Sequence, residues 1–211
     1  MKSDYLTGIN IISTIVETIL QGVVIMGYDS LTPDLIRRLM KKRLDKFLSK
    51  ICVNHDILTE DDLQFATYGW FLDLFNDSGY HKQWRAFNRL YVQKQSQYPD
   101  ISLFQSTNLK IVIELKHEVF RNTTMQDIGD DIDKVIGFIQ ANSSLSYGVV
   151  LATIWDPEGT KIPKLISDYK EKLAEPKLLF IPIEVSQHIP LRDHADWEEN
   201  HSNLHERYRC E

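Results

Sequence analysis

The chain has little cysteine, and this excludes several classes of small protein. Only two cysteines, Cys52 and Cys210, occur among the 211 residues, and they lie far apart in the sequence. A disulfide-stapled scaffold and a paired-cysteine zinc site both need closely spaced cysteines, so neither is readable here. Because two isolated thiols suit a reducing compartment, we expect an intracellular, cytoplasmic protein.

Glycine-rich phosphate loops and long apolar runs are also missing. Neither G-x-G-x-x-G nor G-x-x-x-x-G-K-[ST] occurs, so nucleotide-driven chemistry has no support. Polar side chains interrupt the most apolar stretch, residues 9–26, whereas a membrane span needs about 18 or more apolar residues in sequence. We therefore expect no membrane partner. We interpret 9–26 as a buried amphipathic helix, with a pair of strands as the alternative.

Acidic residues outnumber basic ones, but the positive charge is concentrated in one segment. Thirty acids against 24 bases give a net charge of −6, which disfavours a protein that coats nucleic acid with its whole surface. Seven cations accompany one acid along a predicted amphipathic helix: Arg37, Arg38, Lys41, Lys42, Arg43, Lys46 and Lys50. A solvated helix face, a phosphate-contacting helix and a surface for an acidic partner all fit this pattern.

Hydrophobic periodicity predicts an α/β fold with a mixed central sheet, preceded by an N-terminal helical region. Thr32 and Pro33 begin one helix and Thr59 caps the next. The elements that follow are strands 84–93, 101–104 and 109–115, helix 125–141, strand 147–155, helix 161–173 and strand 177–185. Short loops predict an antiparallel meander of the first three strands. A right-handed crossover then places 147–155 parallel to 109–115.

Two acids and a lysine carry the chemistry that the sequence suggests. Asp100 opens one predicted strand, while Glu114 and Lys116 share one face of the next because side chains alternate along a strand. Charges in an apolar strand are costly unless compensated. Mg²⁺ held by Asp100, Glu114 and the carbonyl of Leu115 would compensate them. Lys116 would then position or deprotonate the water that attacks phosphorus. For an isolated E-x-K, an exposed ion pair is the alternative.

The residues around these three extend the pattern. The run Tyr98-Pro99-Asp100, followed by the apolar lead-in 111–113 to Glu114-Leu115-Lys116, resembles the PD-(D/E)xK nucleases over about residues 59–155. The resemblance implies a restriction-endonuclease-like αβββαβ core and dependence on Mg²⁺, for which Mn²⁺ would substitute. It assigns Asp100 and Glu114 as metal ligands and Lys116 as the catalytic lysine.

The same resemblance implies further site residues. Many members of that family carry another acid in the helix before the first strand. Here Glu60 is the best-placed match, with Asp61 or Asp62 as alternatives. A polar residue of the crossover helix sometimes faces the site, and Lys134 and Gln126 are the candidates.

Weaker sequence patterns lie before and after the segment that contains Asp100, Glu114 and Lys116. Basic and aromatic residues alternate in 81–98, where Arg85 and Arg89 are candidate nucleic-acid contacts together with the basic helix. The aromatic residues there, which stack on bases or else pack inward from an edge strand, are Trp84, Phe87, Tyr91 and Tyr98. Four acids at the start of the crossover helix are best explained by the helix dipole together with an Asp130–Lys134 i,i+4 pair, and a metal-site role is the alternative: Asp127, Asp130, Asp131 and Asp133.

The chain divides into three predicted regions. Residues 1–56 form a helical region for oligomerisation or DNA contact, 57–186 the nuclease-like domain and 187–211 a polar tail. Within the tail, His201 and His205 would share a zinc ion only if the segment were helical, and HExxH chemistry is excluded because Ser202 follows His201.

These features favour a metal-dependent nuclease that hydrolyses phosphodiester bonds, with DNA as the expected partner. A homodimer formed through the N-terminal helices is a further expectation. The alternatives are a catalytically inactive nuclease-fold protein that binds DNA or acts as a scaffold, and a protein-interaction domain.

Overall fold

The computed structural model describes residues 31–53, 59–77, 79–89, 98–118 and 125–185. The predictions for the apolar segment 9–26, for Tyr91 and for the histidine-containing tail 187–211 lie outside these residues. Among the described residues, no helix is both long and apolar enough to cross a membrane.

A five-stranded mixed sheet organises the protein. Its strands follow the chain order β1–β5, and β2 and β3 are antiparallel to their predecessors. The crossover then makes β3, β4 and β5 mutually parallel, which confirms the predicted α/β class, meander and crossover. The strands are β1 Trp84–Asn88, β2 Ile101–Gln105, β3 Asn108–Glu118, β4 Tyr147–Trp155 and β5 Leu178–Val185.

Helices cover both faces of this sheet. They are α1 Pro33–Leu39, a π-helical turn Met40–Leu44, α2 Asp45–Val53, α3 Glu60–Asp77, a 3₁₀ turn Tyr80–Lys82, α4 Met125–Ala141, α5 Lys161–Asp168 and α6 Lys170–Leu173. Both predicted caps are confirmed: the Thr32 hydroxyl accepts from the Leu35 N–H at 3.2 Å and the Thr59 hydroxyl from the Asp62 N–H at 3.1 Å.

The three largest differences from the predicted element boundaries have local causes. β1 ends at Asn88 rather than 93, because Arg89 adopts a left-handed φ of 45° that turns the chain. β3 continues to Glu118, since β4 pairs with it as far as Ile154. The predicted helix 161–173 is divided at Tyr169, whose ψ of 17° leaves the helical region.

Alternation along the strands builds one core on each face of the sheet. On the first face, α1–α3 cover a core that includes Ile111, Ile113 and Leu115 of β3. On the second face, α4 and α5 cover a core that includes Val112 and the buried residues of α4. Residues 31–53 therefore share a core with the sheet, while the division of the chain at residue 56 stays a prediction.

Candidate active site

Asp100 lies just before β2, with its carboxylate against the middle of β3. Its Oδ2 accepts the backbone N–H of Leu115 at 2.8 Å. Its carbonyl oxygen accepts from Gln64 Nε2 of α3 at 2.9 Å and from the Arg89 N–H at 3.0 Å. These bonds anchor Asp100 beside the residue that separates Glu114 from Lys116, so the structure brings the three predicted residues to one part of the sheet.

Glu114 is a buried acid on the α4 face of β3. Its residue surface is only 2% exposed, and Lys134 Nζ of α4 contacts Oε2 at 2.7 Å. Oε1 is buried and has no hydrogen-bond partner among the described residues. Burial, reinforced by the nearby Asp100, raises the pKa of Glu114 to about 8, and Lys134 opposes the rise without cancelling it. A single ammonium group therefore does not offset the cost of burying this carboxylate beside Asp100.

Lys116 follows on the same face and is less buried than Glu114. Its Nζ lies 3.4 Å from Glu60 Oε2 at the start of α3. Burial lowers the pKa of Lys116, but Glu60, Asp131 and Asp127 outweigh burial, so the net direction is a rise. A lysine held in the charged form acts as a hydrogen-bond donor and a positive charge, which favours positioning of water over its deprotonation.

Asp131 of α4 is a part of this cluster that the sequence analysis assigned to the helix dipole. Burial raises its pKa to about 6, while Lys116 and Lys134 act in the opposite direction. Asp131 lies three residues before Lys134 and so on the same side of α4. The sequence shows this spacing, but it does not show that this side of α4 faces Glu114 and Lys116 on the sheet.

The neighbouring acids of α4 have other partners. Asp133 pairs with Lys172 at 2.6 Å. Asp130 accepts from Gln126 Nε2 at 2.8 Å, whereas Lys134 turns toward Glu114. The predicted Asp130–Lys134 pairing is therefore replaced, because the buried carboxylate of β3 offers the lysine a partner that the sequence of α4 does not show. Of the two candidates on this helix, Lys134 faces the site and Gln126 does not contact it.

The three acids at the start of α3 each have a different partner. Glu60 contacts Lys116, as described above. Asp61 pairs with Arg89 at 3.2 Å, and Asp62 accepts from the N–H and hydroxyl of Thr59 at 2.9 Å. The alternatives Asp61 and Asp62 are thus engaged elsewhere, and Glu60 is the acid of α3 that meets the candidate active site, through the lysine.

The predicted nucleic-acid contacts lie at different distances from this site. Arg89 adjoins it through its backbone bond to Asp100. Arg37 donates to the Tyr147 hydroxyl at 3.3 Å and lies over that ring. Tyr147 pairs in register with Ile111, five residues or about 17 Å along β3 from Lys116. The remaining predicted cations, all exposed, are Arg38, Lys41 and Lys42 on the basic helix and Arg85 on β1.

The oxygen donors of the candidate active site fit a Mg²⁺ ion whose coordination is completed by water. In the described ranges, no three His, Cys, Asp or Glu side chains form a metal-ligand cluster. The carboxylates of Asp100 and Glu114 lie close enough to interact electrostatically, and Leu115 follows Glu114 on β3. Mg²⁺ is usually bound through one or two carboxylates and several waters. Two carboxylates, with the buried Oε1 of Glu114 unpartnered among described residues, fit that pattern.

Comparison of the chain with protein-family models, with curated proteins and with solved structures finds no match. Function is therefore inferred from the residues and geometry of the site.

Proposed function

We propose that the protein is a Mg²⁺-dependent nuclease of the PD-(D/E)xK type, with a restriction-endonuclease-like fold, that hydrolyses phosphodiester bonds in DNA. The observation that carries the proposal is the hydrogen bond from the Leu115 N–H to Asp100 Oδ2 at 2.8 Å. It places the first acid of the motif directly against the E-x-K tripeptide. The order of elements and the mixed sheet support the same proposal.

Each polar residue of the site has a role in this proposal. Asp100, Glu114 and the Leu115 carbonyl would hold Mg²⁺, which supplies positive charge to stabilise the negative charge that develops on the phosphate. The Lys116 ammonium donates a hydrogen bond to the attacking water or to a phosphate oxygen. Glu60 keeps Lys116 charged and oriented. These contributions match the needs of an in-line displacement at phosphorus.

Lys134 holds Glu114 in place in the absence of the cation. Its ammonium contacts Glu114 Oε2 at 2.7 Å and donates to the Tyr98 carbonyl at 3.2 Å. The second contact ties α4 to the segment that carries Asp100. Lys134 is therefore a positioning residue that joins both acids of the motif from the α4 side.

Cleavage of plasmid and single-stranded DNA with and without Mg²⁺ tests the proposal. Lys116→Ala should reduce the rate about 10²- to 10⁴-fold, the range associated with a positioned proton-transfer or donor group. Lys110→Ala is the matched control, because Lys110 lies on the same strand and its Nζ contacts the Ser144 carbonyl instead of the site. The control should cleave at the wild-type rate.

Two results would contradict this mechanism. Cleavage that survives the double variant Asp100→Ala/Lys116→Ala would identify a contaminating nuclease. Salt-sensitive DNA binding without any Mg²⁺-dependent cleavage would instead favour a catalytically inactive nuclease-fold protein. The Glu114–Lys134 ion pair is the observation that favours this second candidate, since a lysine then supplies the charge that a metal ion would otherwise provide.

A further inference from the structure

Exposed cations follow the basic helix at a regular interval of four residues. We call them the basic row: Arg38, Lys42, Lys46 and Lys50, all of them exposed. An apolar row with the same interval begins two residues earlier and is fully buried: Ile36, Met40, Leu44 and Leu48. Since two residues correspond to about 200° of helix rotation, the cations face solvent on the side away from the core.

The π-helical turn Met40–Leu44 keeps both rows straight. Its bond from the Asp45 N–H to the Met40 carbonyl spans five residues in place of the usual four. In an uninterrupted α-helix, each four-residue step advances by about 40°, so Lys50 would lie about 120° around the axis from Arg38. The extra residue of the π-turn removes about 100° of this rotation, which leaves a row of about 17 Å nearly parallel to the helix axis.

The ion pairs of the described residues do not include the basic row. They involve other cations, namely Arg89, Lys116, Lys134 and Lys172. The acids of the same helix have other donors, because Asp34 accepts from the Tyr147 hydroxyl and Asp45 accepts the Lys46 backbone N–H at 2.7 Å. Four aligned positive charges therefore lie on a chain of net charge −6, and they attract a polyanion to one local surface.

The basic row lies on the other side of the sheet from the candidate active site. The apolar row of the same helix packs in the core that includes Ile113 and Leu115 of β3, whereas Glu114 faces α4. The sheet and a helix, whose diameter is about 10–12 Å, thus separate the cations from the acids. A polyanion bound along the row contacts a surface distinct from Lys116.

We infer that the basic row is a second nucleic-acid surface, which binds the phosphate backbone of a duplex independently of base sequence. Each strand of a duplex carries one phosphate per about 3.4 Å of its axis, so a row of about 17 Å spans about five phosphates. A membrane surface fits less well, because an amphipathic helix binds lipid by inserting apolar side chains and the apolar row here is buried. The inference goes beyond the proposed function, since this binding needs no catalytic residue.

Fluorescence anisotropy in EDTA tests the inference without cleavage. The probes are two unrelated DNA duplexes and one RNA duplex, titrated between about 50 and 200 mM salt. Each phosphate contact contributes about −0.9 to the slope of log affinity against log salt. Lys42→Glu/Lys46→Glu should therefore make the slope shallower by about 2 and weaken binding at least about tenfold at 100 mM salt, equally for both DNA sequences. Lys42→Gln/Lys46→Gln removes the same charges without adding acids and should change the slope equally.

Lys164→Glu/Lys170→Glu is the matched control. It reverses two exposed cations on α5 and α6, so the net charge changes by the same amount, and affinity should stay within about twofold of wild type. Equal affinity and slope in the row variants and the control would overturn the inference and identify a solvated helix face.

Two further comparisons identify the partner. Tighter row-dependent binding to anionic lipid vesicles or to polyglutamate than to any duplex would overturn the inference in favour of a membrane or an acidic protein. The DNA and RNA duplexes distinguish the two sources of the phosphate backbone. Row-dependent duplex binding without Mg²⁺-dependent cleavage would support the inference while contradicting the proposed function, so the two fail separately.

Discussion

Glu114 within β3 and Asp156 at the end of β4 are two buried acids on neighbouring parallel strands, at 2% and 1% exposure. Asp156 accepts the N–H groups of Thr160 at 2.8 Å and Ile162 at 2.9 Å. Burial alone would raise its pKa, but these backbone donors outweigh burial and the pKa is lowered. Glu114 has no such donors, and its pKa is raised to about 8.

The difference separates a structural acid from a functional candidate. Asp156 satisfies the first turn of α5, so the local chain supplies the partners that its charge needs. Glu114 receives one ammonium group and leaves Oε1 without a partner among the described residues. A buried carboxylate that the fold leaves short of positive charge is expected where a ligand completes the site.

Asp156→Ala should give the largest loss of stability. The substitution removes the buried carboxylate that accepts the N–H groups of Thr160 and Ile162, which should lower the free energy of unfolding by about 3 kcal/mol. Urea denaturation measures this change. Glu158→Ala, an exposed acid in the same loop, is the control and should stay within about 0.5 kcal/mol of wild type. Equal losses in Asp156→Ala and Glu158→Ala would contradict a stabilising role for the hydrogen bonds that Asp156 accepts.

Glu114→Gln, measured in EDTA, should raise the free energy of unfolding, in contrast to the loss expected for Asp156→Ala. Between the ordinary pKa of 4.5 and about 8, the folded state holds a proton that the unfolded chain releases, so wild-type stability falls as the pH rises. Glutamine does not ionise, so the variant does not lose stability in this way as the pH rises. We expect it to be more stable by up to about 4 kcal/mol at pH 9 and similar to wild type near pH 4.5. A difference that does not vary with pH would contradict the raised pKa.

Mg²⁺ should stabilise the folded protein by giving the Glu114 carboxylate the partner that backbone N–H groups already give Asp156. At a Mg²⁺ concentration ten times the dissociation constant, binding to the folded state adds about 1.4 kcal/mol to the free energy of unfolding. Thermal unfolding of wild type and Glu114→Gln at pH 8, with sodium at matched ionic strength, measures the effect. Stabilisation of wild type but not of the variant is expected. Equal stabilisation of both would place the cation elsewhere.

Much of the fold was predictable because local signals and periodicity agree. The caps at Thr32 and Thr59, the helix 125–141 and the strand 147–155 were predicted at the observed bounds. The missed boundaries have local causes that composition does not reveal, as the left-handed backbone of Arg89 and the break at Tyr169 illustrate. The restriction-endonuclease-like assignment stays a prediction.

The site was predictable only where its members share a strand or a short hairpin. Period-2 alternation places Glu114 and Lys116 on one face, and the hairpin carries Asp100 to them. The partners Lys134 and Asp131 come from a helix whose sequence is equally compatible with local pairing. Which of them meets β3 depends on how α4 lies across the sheet.

The amino-acid sequence by itself determined the elements, the meander and crossover, and the acid–lysine motif, because these depend on spacing along the chain. The tertiary structure decided which charges meet: Lys134 with Glu114, Glu60 with Lys116 and Arg89 with Asp61. It also decided that the basic row faces away from the candidate active site. The physical reason is that burial and Coulomb interactions act through space, between residues that packing brings together from distant parts of the chain.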